Sequence, residues 1–258
     1  MRYILFSIGS FHVYGYGLMI ALGVLAALAV GMKRAPRYGL DPDMIFNLTF
    51  LCVIGGFFGA KLLYVITELP SLMKSKSLLE DLSNGFVVYG GILGGILVAW
   101  MYCRHMKADF WKYFDLAMPS VALAQGFGRL GCFLAGCCYG KETSSAIGVV
   151  FHDSPFAPRD IAVIPTQLLS SAGDFLIAAA LILIAKKRPA DGSVGSWYLL
   201  LYGVGRFLIE FLRDDPRGSV GVLSTSQFIS IFIVAAGMIL LWRIRGRGEK
   251  NVNSSCNS

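Results

Sequence analysis

The sequence predicts an all-α integral membrane protein of about seven transmembrane helices, with its N-terminus outside and its C-terminus in the cytoplasm. Three observations carry this expectation. Hydrophobic residues make up 55% of the 258 positions and charged residues only 15%, against roughly 25% charged in soluble domains; the mean hydropathy is +0.63. Several apolar runs approach the roughly 20 residues that cross a bilayer as a helix. The basic residues gather in short clusters after alternate runs, which orients the chain by the positive-inside rule.

The runs follow in order. The first covers about 14–31, and its flanks lack the charged leader and small-residue cleavage site of a cleavable signal, so it is expected to span. The second covers 45–66 and the third 86–103. The fourth, 114–127, is short and interrupted by Pro119. The fifth covers 167–185, the sixth 194–212 and the seventh 227–242. Lys33, Arg34 and Arg37 follow the first run; Arg104, Lys107 and Lys112 the third; Lys186, Lys187 and Arg188 the fifth; Arg243, Arg245, Arg247 and Lys250 the seventh. An odd number of spans puts all four clusters on the cytoplasmic side. Loops near 68–86, 128–166 and 213–226 are then expected outside. The chain reads as one polytopic domain over 1–245, followed by a polar, disordered cytoplasmic tail over 246–258. No internal repeat is visible. The net charge of +7 is spread over these loop clusters rather than over one basic face with interleaved aromatics, which excludes a nucleic-acid partner.

Charges inside spans are costly and mark function. Lys61 lies in the second run, Arg129 at the end of the fourth, and Arg206 with Glu210 in the sixth. The plain reading of Arg206 and Glu210, four residues apart on one helix face, is a self-neutralising ion pair. Lys61 can extend its stem to the interface. The sharper reading joins Arg129 to Arg206: two arginines facing one cavity bind an anion, and the anion at hand in a bilayer is a phospholipid phosphate, which the planar guanidinium holds with two oxygens. No Walker loop, dinucleotide fingerprint or HExxH motif is present.

The stretch "GRLGCFLAGCCYG", Gly128–Gly140, sets Arg129 beside Cys132, Cys137 and Cys138. The C-x4-C-C spacing lacks the paired pattern of a zinc site. Small thiols in a tight glycine-rich bend, a disulfide in an oxidising compartment, and a reactive thiol activated by Arg129 remain as readings. The glycines of the second and third runs, Gly55, Gly59, Gly90, Gly91 and Gly94 among them, have the small-xxx-small spacing of close helix packing. A bare glycine face can also lie against a lipid.

That stretch resembles the signature segment of the prolipoprotein diacylglyceryl transferases. "YGYGLMIALG" at Tyr14–Gly23, "YGGILGG" at Tyr89–Gly95, "PTQLL" at Pro165–Leu169, "LYGVGRFLIEFLRDDP" at Leu201–Pro216 and "STSQFISI" at Ser224–Ile231 resemble the same family, collinearly. The resemblance implies an enzyme of the bacterial inner membrane, without a cofactor or metal. It would move the diacylglyceryl group of phosphatidylglycerol to the lipobox cysteine of a prolipoprotein, leaving a thioether and releasing glycerol phosphate. By the resemblance, Arg129 and Arg206 occupy the positions of the family's functional arginines, Tyr16 that of its N-terminal tyrosine, Gly140 that of a late signature glycine and Glu210 that of an acid. Tyr89 and Cys137 are the remaining catalytic candidates; Gly90, Gly91 and Cys132 complete the substrate-binding set. The chain departs from the pattern at four places. The family carries asparagine at Cys132, glutamate at Cys137, histidine at Tyr89 and an acid at Ser170. Those departures keep open a paralogue with the same lipid site that uses another acceptor or its own cysteines. A non-enzymatic lipid binder or transporter, and a redox protein using the three cysteines, are the alternatives from other classes.

Overall fold

The computed structural model describes residues 4–8, 11–73, 85–152, 154–215 and 218–255. It is mainly helical. We label the long helices α1, Gly15–Arg34; α2, Pro42–Thr67; α3, Val88–His105; α4, Phe110–Ala135; α5, Thr166–Lys186; α6, Ser193–Ile209; and α7, Thr225–Ser255. Among the described residues, four segments are long and apolar enough to cross a membrane: Gly15–Tyr38, Pro42–Thr67, Thr166–Lys186 and Thr225–Gly246.

Local chemistry explains the helix ends. Lys33 and Arg34 close α1, where cations meet the negative end of the helix dipole. A 3-10 turn, Ala35–Tyr38, follows and is stopped by Gly39 at φ 66°. Helix α2 starts at Asp41, whose side chain accepts from the Asp43 N–H at 2.9 Å, with Pro42 in the first turn where its missing N–H costs nothing. The apolar side chains of these helices point outward. Phe58, for example, is 66% exposed on α2, an arrangement that solvates a helix in lipid rather than in water.

The chain divides into two compact units, Met32–Tyr113, and Met1–Gly31 with Phe114–Ser258. In the first, α2 lies against α3 across a glycine seam. A Cβ added at Gly59 would collide with the Gly90 carbonyl, one at Gly90 with the Gly59 carbonyl, and one at Gly94 with the Gly55 carbonyl at 2.5 Å. Lys61 reaches the Gly85 carbonyl at 3.3 Å and lies over the rings of Tyr64 and Phe86. It is thereby held at the end of this helix pair.

In the second unit, α5, α6 and α7 assemble with α1 and most of α4. Gly23 of α1 meets Ala124 and Phe127 of α4. Ser171 of α5 donates to the Gly126 carbonyl of α4 at 2.9 Å, and Gly203 and Gly237 admit the close approach of α6 and α7. Asp115, only 4% exposed, accepts from the N–H groups of Gly192 and Gly195 at 2.8 and 2.7 Å, an anion on the N-terminus of α6. Asp115→Asn removes the charge and one acceptor. It is expected to cost roughly 1–3 kcal/mol, read as a lowered Tm in detergent with little change in activity below that temperature.

The structure corrects the sequence expectation in two places. The fourth helix does not end near 127; it continues through Pro119 to Ala135. Pro119 is fully buried inside it, so tertiary packing overrides the lost hydrogen bond. The bend therefore begins at Gly136, at φ 75°, and not at Gly128. Among the described residues, three short antiparallel strand pairs accompany the helices: Ile4–Ile8 with Phe11–Tyr14 before α1, Val149–Val150 with Ala162–Val163, and Ser219–Val220 with Leu223–Ser224. Most of the expected 68–86 loop lies outside the described residues, after a helical turn at Leu69–Leu72. Helix α7 runs on to Ser255, into the stretch whose polar composition predicts a disordered tail.

Candidate functional site

Three helices of the larger unit enclose a cavity of about 160 Å³. Arg129 enters from α4, Ser170 and Asp174 from α5, and Tyr202 and Arg206 from α6. Arg206 is the more constrained arginine. Its Nη2 donates to Ser226 Oγ at 2.8 Å and forms an ion pair with Glu210 Oε2 at 3.1 Å, the two ion-pair side chains being 13% and 5% exposed. Its Nη1 is buried and has no hydrogen-bond partner among the described residues. A buried guanidinium edge left unmade is costly unless a ligand completes it. Arg129 makes no direct hydrogen bond to another described residue, and its neighbours in charge are Cys132, Cys138 and Asp174. Asp174 in turn feels both Arg129 and Arg206. The cavity therefore presents two guanidinium groups and one carboxyl to whatever enters it.

The signature loop follows Arg129, which lines this cavity, and is held from both sides. The Gly140 N–H donates to the Ile164 carbonyl, Lys141 N–H to Leu212, and Ile164 N–H to Lys141, each at 2.9 Å. Thr166 Oγ1 donates to the Cys138 carbonyl at 2.7 Å and Gln167 Nε2 to the Cys137 carbonyl at 2.8 Å. Gly140 is wedged between strands of loop: a Cβ there would stand 2.7 Å from the Ile164 and Leu212 carbonyls. The sequence therefore needs glycine at 140 for a close backbone approach. Phe133, Tyr139, Val149, Phe151, Ala157 and Val163 form a small apolar core beneath the same loop.

At the loop's other side Arg213 forks onto Asp215, with Nε to Oδ1 at 3.0 Å and Nη2 to Oδ2 at 3.2 Å. Burial pushes the Asp215 carboxyl up, and Arg213 opposes that shift. Glu210, Arg213 and Asp215 line a second cavity of about 420 Å³ with Lys141, Ser224 and Gln227. One member of the Arg206–Glu210 pair thus faces each cavity.

The three cysteines converge around the bend, Cys132 before it and Cys137 and Cys138 after it. Hydrogen bonds from Cys132 and Cys137, reinforced by the charges of Arg213 and Arg129, hold the Cys138 thiol below its ordinary range. Hydrogen bonding within the cluster and burial push Cys137 up. Tyr16 of α1 approaches the same region: a Cβ at Gly131 would lie 3.1 Å from its ring. The structure therefore gathers Tyr16, Arg129, Cys132, Cys137, Gly140, Arg206 and Glu210 in one unit. Tyr89, Gly90 and Gly91 belong to the unit Met32–Tyr113, where Gly90 and Gly91 face carbonyls of α2.

Sequence reasoning missed Asp174, Arg213 and Gln167. Asp174 carried the clearest signal, a single carboxylate inside an apolar run, one helical turn after Ser170. The buried Arg213 and Gln167 gave none, because a basic or amide residue at the end of a run reads as an interface residue until the loop is folded over it.

Fold and cavity together define a helical membrane protein with a buried, doubly cationic cavity. The family model described as prolipoprotein diacylglyceryl transferase matches residues 3–243. The chain is 50% identical over 240 residues to the phosphatidylglycerol–prolipoprotein diacylglyceryl transferase of Clostridium tetani, covering 93% of this chain and 96% of that protein. It is 46% identical to the transferase numbered 2 of Clostridium perfringens and 33% identical to the one numbered 1, covering 96% and 97% of this chain and 98% and 97% of those proteins. The chain belongs to the prolipoprotein diacylglyceryl transferase family, and it is a transferase.

Proposed function

We propose that this chain transfers the diacylglyceryl group of phosphatidylglycerol to the lipobox cysteine of a prolipoprotein, with the lipid phosphate held between Arg129 and Arg206. The observation that carries the reading is the buried Nη1 of Arg206, which has no hydrogen-bond partner among the described residues, in a cavity shared with Arg129. The acceptor sulfur attacks the diacylglyceryl carbon that bears the phosphate oxygen. A C–S bond forms and the C–O bond breaks. The electron pair leaves on glycerol phosphate, which gains a negative charge as it departs, and the thiol gives up its proton. Two guanidinium groups that line one cavity stabilise that growing charge. Arg213 and Arg129 beside Cys138 extend the cationic field along the signature loop. Glu210 holds Arg206 from the second cavity, Tyr16 and Cys132 lie beside Arg129, and Cys137 and Gly140 belong to the loop that follows it. Tyr89, Gly90 and Gly91 are the candidates that the family pattern adds from α3.

Asp174 is the proton carrier in this reading. It is the carboxyl lining the cavity, and it stands one helical turn from Ser170, the position where the family carries an acid. Ser170 itself spends its hydroxyl on the Thr166 carbonyl at 2.7 Å. A carboxyl between two arginines can hand a proton to the departing phosphate as its second charge develops. The test is Asp174→Asn, which preserves shape and removes the exchangeable proton. The expected result is a fall in kcat of about 10²–10⁴-fold, the usual range for a general acid, with lipid binding retained. Unchanged turnover by this variant overturns the assignment.

The placement in the membrane follows from the charges. All seven long helices span, the basic clusters at Lys33–Arg37, Arg104–Lys112, Lys186–Arg188 and Arg243–Lys250 lie in the cytoplasm, and the C-terminus with them. The signature loop then faces outward on the cytoplasmic (inner) membrane, where an exported prolipoprotein arrives. The partners are the anionic phospholipid and the prolipoprotein within one polytopic domain; nucleic acid has no role.

A further inference from the structure

The C-x4-C-C spacing carries no zinc signature, yet the fold brings the three sulfurs together. The Sγ atoms of Cys132, Cys137 and Cys138 all lie within 4.8 Å of one another, each half-buried. We propose that these three thiols form a binding site for a single thiophilic metal ion, Zn²⁺ or Cu(I) in class, which ties the end of α4 to the signature loop.

The geometry fits. Metal–sulfur bonds of about 2.3 Å place the sulfurs of one coordination sphere about 4 Å apart, so the thiols close by fractions of an ångström. The backbone that carries them is already fixed. Cys132 lies in the last turn of α4, and its carbonyl accepts from the Cys137 N–H at 3.1 Å. The Gly136 turn reverses the chain at φ 75°, and Cys138 takes φ 64°, a left-handed conformation that a side chain adopts only at a cost. The carbonyls of Cys137 and Cys138 are held by Gln167 and Thr166 at 2.8 and 2.7 Å. The thiols are therefore presented by a braced loop rather than by a free one. Soft sulfur donors select zinc or cuprous copper over magnesium, calcium or manganese. Three thiolates on either ion leave a net negative complex, and Arg129 and Arg213 are the cations beside it. A disulfide would join only two of the three sulfurs and leaves the convergence of the third without a reason.

The site shares Cys132 and Cys137 with the candidate transfer machinery and adjoins Arg129, so its test does not use transfer activity. Purified full-length protein, reduced and freed of metal, is titrated anaerobically with Zn²⁺, and separately with Co²⁺ as a spectroscopic probe. One equivalent of Zn²⁺ is expected to bind and to raise Tm, and Co²⁺ is expected to give thiolate charge-transfer absorption. Cys132→Ser and Cys138→Ser are expected to lower zinc affinity at least tenfold each, while a Cys52→Ser/Cys256→Ser control keeps it. Should a variant fail to fold, alkylation mapping of the unmodified chain decides. Bound Zn²⁺ is expected to protect Cys132, Cys137 and Cys138 and to leave Cys52 unchanged. Absence of stoichiometric zinc in the reduced protein, equal binding by the folded variants, or no protection of the three thiols overturns the proposal.

Discussion

Replacing Arg206 with alanine is expected to lower transfer by about 10²–10³-fold, the loss typical of one preorganised donor at a developing charge. The loss should fall on the chemical step. Arg206 holds Ser226 and Glu210 with one edge and leaves Nη1 for a ligand, so its position is set before the lipid arrives. Arg206→Lys should recover little, because a point charge cannot replace a planar fork that holds two partners and offers a third donor. The alanine variant also takes one ion-pair partner from Glu210, whose side chain is 5% exposed, and weakening a buried ion pair destabilises in its own right. Arg129→Ala separates the two effects. Arg129 has no direct hydrogen bond to another described residue, so its removal should leave Tm nearly unchanged while activity falls by a similar factor. Rates for the two variants, set against their melting temperatures, check the pair. Activity that falls only as much as the folded fraction falls contradicts the clamp.

The second large effect concerns Gly90. A Cβ there collides with the Gly59 carbonyl and with Leu63, and one at Gly59 collides with the Gly90 carbonyl and with Gly94. Both faces are backbone, which cannot rotate away. Gly90→Ala is therefore expected to force α2 and α3 apart and to destabilise by about 1–3 kcal/mol, with Gly90→Leu worse. Gly59→Ala should behave the same way. The comparison decides between the two readings of these glycines. If Gly90 serves only as a bare face for lipid, Gly90→Ala lowers activity at unchanged Tm and Gly59→Ala is silent. If the seam is the reason, the two variants lose Tm together. Thermal unfolding of both in detergent, followed by circular dichroism, measures this.

Much of the fold could be read from the sequence, because hydropathy reports on one helix at a time. The second and fifth runs, 45–66 and 167–185, sit inside α2 and α5 with ends only a few residues out. The fourth failed for a physical reason. Pro119 and the glycines at 126, 128 and 131 are local helix breakers, yet burial of Pro119 and the bond from Ser171 to the Gly126 carbonyl hold α4 continuous. Local propensity was outweighed by contacts between distant segments. The site divides the same way. Arg129, Arg206 and Glu210 announced themselves as charges in apolar runs. Asp174 had the same signal but lacked a partner in the linear sequence; its place beside both arginines needs α4, α5 and α6 together. The cysteine convergence was out of reach of spacing rules, since it depends on two left-handed residues, Gly136 and Cys138, that fold the loop back on the helix.

The most direct measurement couples both halves of the reaction. Protein in vesicles is given phosphatidylglycerol labelled in its headgroup glycerol and a lipobox peptide, alongside the same peptide with its cysteine changed to serine. The account predicts one glycerol phosphate released for each peptide that gains a diacylglyceryl thioether, no reaction with the serine peptide, and loss of both products in Arg129→Ala and Arg206→Ala. Lipid bound without release, or glycerol phosphate released while the cysteine peptide stays unmodified, would contradict it.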